Sequence, residues 1–189
     1  MASGRWYALL DRDGTVITGR PYLSVADDVE LVTGAGAGIR TLRSFGIGVS
    51  IVTNQSGLGR GLFGMAELDA TNHRLLELLR AQGADIDAIY VCPHTPEDRC
   101  ACRKPESGLV LRAASELGFE PRRSIVIGDN ECDIELGHRV GAKTVLVRTG
   151  YGFEVERNRS VAPDFVIDDL GSIDSVLTRL GVAPRELAI

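Results

Sequence analysis

Lysine is nearly missing from this chain, as are aromatic residues, long apolar runs and any surplus of positive charge. Lys104 and Lys143 are the only lysines among 21 basic residues in 189. Arginine does the ordinary surface work, so a lysine set among other unusual residues is a candidate for chemistry. Aromatics are only 5% of the residues. No uninterrupted apolar run exceeds about five residues, against the ~20 that a membrane-crossing helix needs. No basic segment followed by an apolar stretch opens the sequence, so no secretory signal is visible and a soluble, cytoplasmic protein is expected. A net charge of −5 argues against a general nucleic-acid binder, which carries a basic face. Neither a nucleic-acid nor a membrane partner is expected, and the chain is taken as a monomer. Repeats are lacking too, and with 44% apolar residues this excludes a disordered, collagen-like or low-complexity chain. What remains is one compact domain, of a size that buries ~70% of its unfolded surface.

The apolar pattern alternates between short β-type runs and longer helical ones. Strands are expected over 6–10, 47–52, 86–91, 124–127, 144–147 and 164–167, and helices over 35–45, 65–80, 109–117, 131–140 and 173–180. Strand–helix alternation implies right-handed crossovers: an α/β, three-layer sandwich with a mostly parallel central sheet, Rossmann-like in type. In such sheets ligands bind beyond the carboxyl ends of the strands, where strand order reverses. Asp11, Thr53, Cys92 and Asp129 each directly follow an expected strand or end it, which puts the site at that edge.

Two acidic segments stand out there. Asp11-Arg12-Asp13-Gly14-Thr15 puts two carboxylates two residues apart at a strand end. It is either a surface turn, since Asp-Gly favours turns, or an acid pair compensated by a hard cation such as Mg²⁺. With a cation, one acid can attack an electrophile while the other moves a proton. Gly128-Asp129-Asn130-Glu131-Cys132-Asp133 supplies a second set after another strand. Asp129 is expected to act both as helix N-cap and as metal ligand, with Asp133 orienting the loop or a metal-bound water. Thr53-Asn54-Gln55-Ser56-Gly57 is a loop of small donors suited to a phosphate oxygen, or an ordinary polar loop. Lys104 adds the positive charge that a phosphoryl group requires.

Three of the four cysteines fall within eleven residues. Cys92-Pro93-His94 and Cys100-Ala101-Cys102 offer three thiolates and an imidazole, the donor set of a closed structural Zn²⁺ site. Buried thiols or a redox pair are the alternatives. A metal there would stand in for the apolar core that this loop lacks, and would hold Arg103 and Lys104 directly behind it. Cys132 lies apart as a small packing residue, and His73 and His138 fall on helices as surface or boundary residues.

Taken together, Asp11-Arg12-Asp13-Gly14-Thr15, Thr53, Lys104 and Gly128-Asp129 with Asp133 resemble the four ordered motifs of the haloacid dehalogenase superfamily of phosphohydrolases. The match spans nearly the whole chain. The cysteine cluster running into Cys102-Arg103-Lys104-Pro105 is similar to the branch of heptose 1,7-bisphosphate 7-phosphatases and histidinol-phosphate phosphatases. The resemblance implies Asp11 as nucleophile and Asp13 as acid and base, with Thr53 and Lys104 steadying the transferring oxygens. It implies Mg²⁺ held by Asp11, the main-chain carbonyl of Asp13 and Asp129. Substrate contacts would come from Gly19, Arg20, Pro21, Tyr22, Thr53, Asn54, Gln55, Ser56, Arg103, Lys104 and Asn130. The reaction implied is removal of the 7-phosphate of a D-glycero-D-manno-heptose 1,7-bisphosphate, with histidinol phosphate or another small phosphomonoester as the alternative. Asn130 stands where many heptose phosphatases carry a lysine, and the zinc loop, 92–102, is short. The intervals between motifs leave no room for a cap domain of roughly fifty residues, so residues 1–189 are expected to form one capless domain.

Overall fold

A computed structural model describes residues 5–183. Six strands form one parallel sheet: β1 (Tyr7–Leu10), β2 (Gly48–Asn54), β3 (Ala88–Cys92), β4 (Ser124–Gly128), β5 (Lys143–Val147) and β6 (Phe165–Ile167). Their order is β3-β2-β1-β4-β5-β6. Order reverses at β1, where the chain first runs outward through β2 and β3, then returns to place β4 on the other side. The open crevice of such a sheet lies at that reversal, above the ends of β1 and β4.

Successive side chains of a strand point to opposite faces, and β1 is apolar on both. Ala8 and Leu10 join one core with Ile39, Leu42, Leu75, Leu79 and Leu177. These come from α1 (Ala35–Ser44), α3 (Met65–Ala81) and α7 (Ile173–Arg179). Tyr7 and Leu9 join a second core with Leu109, Val110 and Leu136, from α4 (Gly108–Leu117) and α5 (Glu131–Val140). Each fully buried leucine contributes about 1.5–3 kcal/mol relative to exposure, so two-sided burial fixes β1 as the middle of three layers. Among the described residues no helix is long and apolar enough to cross a membrane.

Expected elements match observed ones to within one or two residues at most ends, with two additions. Ser56–Gly59, expected as a polar loop, forms one helical turn, α2, closing on Arg60 N–H to Ser56 O at 3.0 Å. Gly152–Asn158 forms α6, where Val155 packs with Ile134 and Leu146. The terminal segments 1–4 and 184–189 of the expected single domain lie outside the described residues, as does the start of the segment examined for a leader.

One carboxylate ties three elements together on the edge away from the crevice. Asp87 accepts hydrogen bonds from Tyr7 OH of β1, from both terminal nitrogens of Arg43 of α1 at 3.0 and 2.9 Å, and from Val49 N of β2 at 3.0 Å. Burial pushes its carboxyl up, but the bonds from Arg43, Tyr7 and Val49 outweigh this and hold it below the usual range. Asp87→Ala is therefore expected to lower unfolding free energy by roughly 2 kcal/mol in urea titrations at neutral pH. A lowered folded pKa gives stability that is complete above the unfolded value of about 3.9 and lost as pH falls through the folded one. The gap between wild type and variant should thus close only in acid.

Candidate active site

The β1–β4 register sets the geometry. Leu10 pairs with Ile127, and Asp11 N–H donates to Ile127 O at 2.8 Å, so the residues that leave the two strands emerge side by side. Oxygens of Asp11, Asp129 and Asp133 all lie within 4.8 Å of one another. Lys104 reaches in from the loop before α4, its Nζ 2.5 Å from Asp11 Oδ1 and 2.7 Å from Asp133 Oδ1. Lys104, Asp129 and Asp133 are 4%, 1% and 1% exposed.

Charges this deep titrate abnormally. Burial pushes the Asp11 carboxyl up to about 8; the Lys104 charge opposes this, and Asp133, Asp129 and Asp13 add to it. Burial likewise lifts Asp129 to about 6, although the Tyr151 amide favours its anion. For Lys104, burial disfavours the ammonium, but Asp11 and Asp133 more than compensate and leave it raised. The lysine is therefore the fixed charge of the cluster. One ammonium among three carboxylates leaves the pocket short of positive charge, and an all-oxygen donor set suits a hard divalent cation. Lys104 occupies one oxygen of Asp11, and the Tyr151 N–H occupies Asp129 Oδ2 at 2.8 Å, so each acid has its other oxygen to offer. A magnesium ion fits these residues.

Asp13 behaves differently from its neighbours. Its carboxylate lies outside the three-acid cluster and is clamped by Arg12 Nε at 3.0 Å, Arg12 Nη2 at 3.3 Å and Gln55 Nε2 at 2.8 Å. Any hold of Asp13 on a metal thus rests on its main-chain carbonyl. Arg12 is buried and anchors to Asn72 of α3 at 2.9 Å. Gln55 Nε2 also reaches Thr53 Oγ1 at 2.8 Å, which sets the hydroxyl at the end of β2. Asn54 holds the main chain of Lys104 at both ends: Nδ2 donates to Lys104 O at 3.1 Å, and Lys104 N–H donates to Oδ1 at 3.0 Å.

Asp129 does not cap α5. Asn130 does so, accepting from Cys132 N at 3.4 Å, while its own N–H donates to Asp133 Oδ2 at 3.2 Å. The dual role expected of Asp129 is corrected accordingly: one residue further along takes the cap, and Asp129 is left to face the cluster. Two glycines press on that carboxylate. A Cβ at Gly14 (φ +92°) would stand 2.2 Å from Asp129 Oδ2, and one at Gly150 (φ +54°) 2.0 Å from it, so only glycine fits.

The remaining expected residues line adjoining space. Asp11, Thr53, Arg103, Lys104, Asn130 and Cys132 border a cavity of about 320 Å³. Cys132, expected only to pack, thus faces the chemistry. Gly19, Arg20 and Pro21 border a neighbouring cavity of about 280 Å³ beside Asp13 and Asp129. Tyr22, Gln55 and Ser56 border a third of about 380 Å³. His73 pairs with Glu77 on an exposed helix face at 3.3 Å, and His138 is exposed.

Beyond β3, the four expected zinc ligands converge. Sulfur–sulfur distances among Cys92, Cys100 and Cys102 are 3.2–3.6 Å, and His94 Nδ1 stands 3.6 Å from Cys92 Sγ and 3.3 Å from Cys102 Sγ. A tetrahedral centre with Zn–S bonds of about 2.3 Å has edges of about 3.8 Å, so the donor set fits zinc. Arg103 Nη1 donates to His94 O at 3.2 Å, which ties the first cation after the cluster back onto it.

Sequence reasoning missed Arg12, Asn72, Thr149 and Tyr151. Thr149 Oγ1 donates to Gly14 O at 2.6 Å, latching the segment after β5 onto the turn after β1. The strand-end rule could have found that segment, since Thr149-Gly150-Tyr151-Gly152 follows β5 and Arg148.

Fold and site together define a scaffold for phosphoryl transfer, and comparison with known proteins agrees. The family model described as HAD-hyrolase-like matches residues 101–173. The D-glycero-beta-D-manno-heptose-1,7-bisphosphate 7-phosphatase of Haemophilus influenzae is 37% identical over 90% of this chain and 96% of its own. The D-glycero-D-manno-heptose-1,7-bisphosphate 7-phosphatase of Thermosynechococcus vestitus is 33% identical over 93% and 96%. The crystal structure of D,D-heptose 1,7-bisphosphate phosphatase from B. bronchiseptica, complexed with magnesium and phosphate, superimposes with a TM-score of 0.86 at 31% identity, covering 93% of this chain and 99% of that one. The chain belongs to the haloacid dehalogenase-like hydrolases, in the family of these heptose bisphosphate phosphatases.

Magnesium must compete with protons for carboxyls that burial holds high. Only the deprotonated acids bind, so affinity should weaken as pH falls through the values of Asp11 and Asp129. Calorimetric titration is expected to give a magnesium Kd at least about tenfold weaker at pH 6 than at pH 8.

Proposed function

We propose that the chain is a Mg²⁺-dependent phosphatase that hydrolyses the 7-phosphate of a D-glycero-D-manno-heptose 1,7-bisphosphate. The observation that carries this reading is the buried Lys104–Asp11 contact inside a cluster of acids, on a chain whose relatives bear that activity in their names. Asp11 attacks phosphorus through one carboxylate oxygen, the bond to the sugar oxygen breaks, and Asp13 protonates the departing alkoxide. The aspartyl-phosphate is then cleaved by a water whose proton passes to Asp13, which releases phosphate and restores Asp11. Thr53 and Lys104 steady the equatorial oxygens through both halves, the positioning and charge work that dominates phosphoryl transfer. Asp11, the Asp13 carbonyl and Asp129 hold magnesium, which when bound neutralises phosphoryl charge. Arg12 and Gln55 hold Asp13 within reach. We read the chain as a single capless domain that works as a cytoplasmic monomer on a small sugar phosphate.

A panel of phosphate-release assays tests the substrate. A clear preference for the heptose bisphosphate over histidinol phosphate is expected; equal rates would overturn the assignment. Asp11→Asn should cost at least about 10³-fold in kcat with the fold intact by circular dichroism. Full activity in that variant would sink the nucleophile.

Zinc at Cys92, His94, Cys100 and Cys102 is the second part of the reading, supported by the four converging donors. Purified protein is expected to carry one zinc per chain by elemental analysis. Cys100→Ser should lose it and lower the melting temperature by roughly 5 °C or more. Protein that is metal-free yet equally stable would refute the site.

A further inference from the structure

Three cavities of about 280, 320 and 380 Å³ reach Asp13, and Tyr151 borders all three. No residue other than these two is common to the three linings. Whatever approaches Asp13 through the described openings therefore passes Tyr151. The residue is 63% exposed, while its main chain is fixed. Its N–H donates to Asp129, and its carbonyl accepts from Glu154 N at 2.9 Å and Val155 N at 3.0 Å as α6 begins. One residue earlier, Gly150 is wedged against Asp129, and Thr149 is latched to Gly14.

An exposed ring on a flexible loop carries no meaning, because single surface aromatics are common. A ring whose main chain is fixed at the mouth by a hydrogen bond to the acid cluster is different: its attachment point is pre-positioned. Its surroundings supply charge beside Pro21, Tyr22 and Leu23. Arg20 and Arg103 each border two of the same three cavities, and they suit anionic groups. Neither offers a flat apolar face to the carbon skeleton that connects those groups. Sugars present patches of C–H on the ring and hydroxyls at its edge, and an aromatic face covers the first while leaving the second wet.

We propose that Tyr151 is a specificity-determining residue, whose ring packs against the C–H face of the sugar while the reacting phosphoryl group lies at Asp11. The inference rests on the reading of the chain as a sugar phosphatase and adds the element that recognises the carbon skeleton. Because the ring touches a part of the substrate that does not react, its contribution separates from the chemistry in a comparison of two substrates. Acetyl phosphate has a phosphoryl group but no ring to stack.

The experiment measures kcat/KM for the heptose bisphosphate and for acetyl phosphate in wild type, Tyr151→Ala and Tyr151→Phe. Loss of the ring should lower the ratio of the two constants about tenfold, mainly through KM for the sugar. Tyr151→Phe should retain the ratio, since the aromatic face survives. If Tyr151→Ala depresses both substrates alike, the residue acts only through Asp129 and the proposal is wrong; an unchanged ratio has the same meaning. Wild type that lacks a preference for the heptose bisphosphate would instead count against the substrate assignment. The Tyr151 comparison would then be made with whichever sugar phosphate is hydrolysed, against acetyl phosphate, and the same ratio decides.

Discussion

The molecule is organised around a single buried ammonium. Lys104 touches two carboxylates of a three-acid cluster, and each partner would be costly without the others. Removal of one member of such a buried set leaves an uncompensated charge, worth about 3–5 kcal/mol where it has been measured. The cluster is thus a constraint on the whole fold as much as a chemical device. It fixes where the ends of β1 and β4 stand relative to the loop before α4. The same shortage of positive charge that makes the pocket expensive to build suits it to a divalent cation.

Delivery of these groups follows from the sheet. Parallel pairing of β1 with β4 sets Asp11 and Asp129 abreast, and β2 brings Thr53 and Asn54 to the same edge. The cysteine loop follows β3 and leads through Arg103 to Lys104. Asp11, Thr53, Asn54, Asp129 and Asp133 all lie within five residues of a strand end, and Lys104 lies in the loop before α4. Rigid elements hold side chains more accurately than loops do, and phosphoryl transfer rewards accurate placement.

Much of this was legible in the sequence, and for a physical reason. Strands buried on both faces are continuous apolar runs, so polar residues at their ends stand out, and Asp11, Thr53 and Asp129 were found that way. The cysteine cluster was legible because donor type and spacing are unusual in any other role. What escaped was context. Arg12 lies between two aspartates and reads as surface, yet it is buried against Asp13 and Asn72. Asp129 and Asn130 are both good caps, and a one-residue choice between them depends on local dihedral angles that the sequence does not display. The helix Gly152–Asn158 has seven residues and begins at a glycine, with Val155 its buried apolar residue, too little for periodicity to register. Tyr151 was overlooked for the opposite reason: an aromatic residue between two glycines suggests a turn, and only the cavities give it a task.

The amide of Asn54 has a consequence of its own. By donating to the carbonyl of Lys104 and accepting from its N–H, this side chain imitates the edge of a neighbouring strand and grafts a loop residue onto the sheet. The lysine accordingly takes its bearing from β2, not from the cysteine-bearing segment that precedes it. The loop is free to diverge in length and composition while the charge it delivers stays in register, a mechanical insulation provided by one carboxamide.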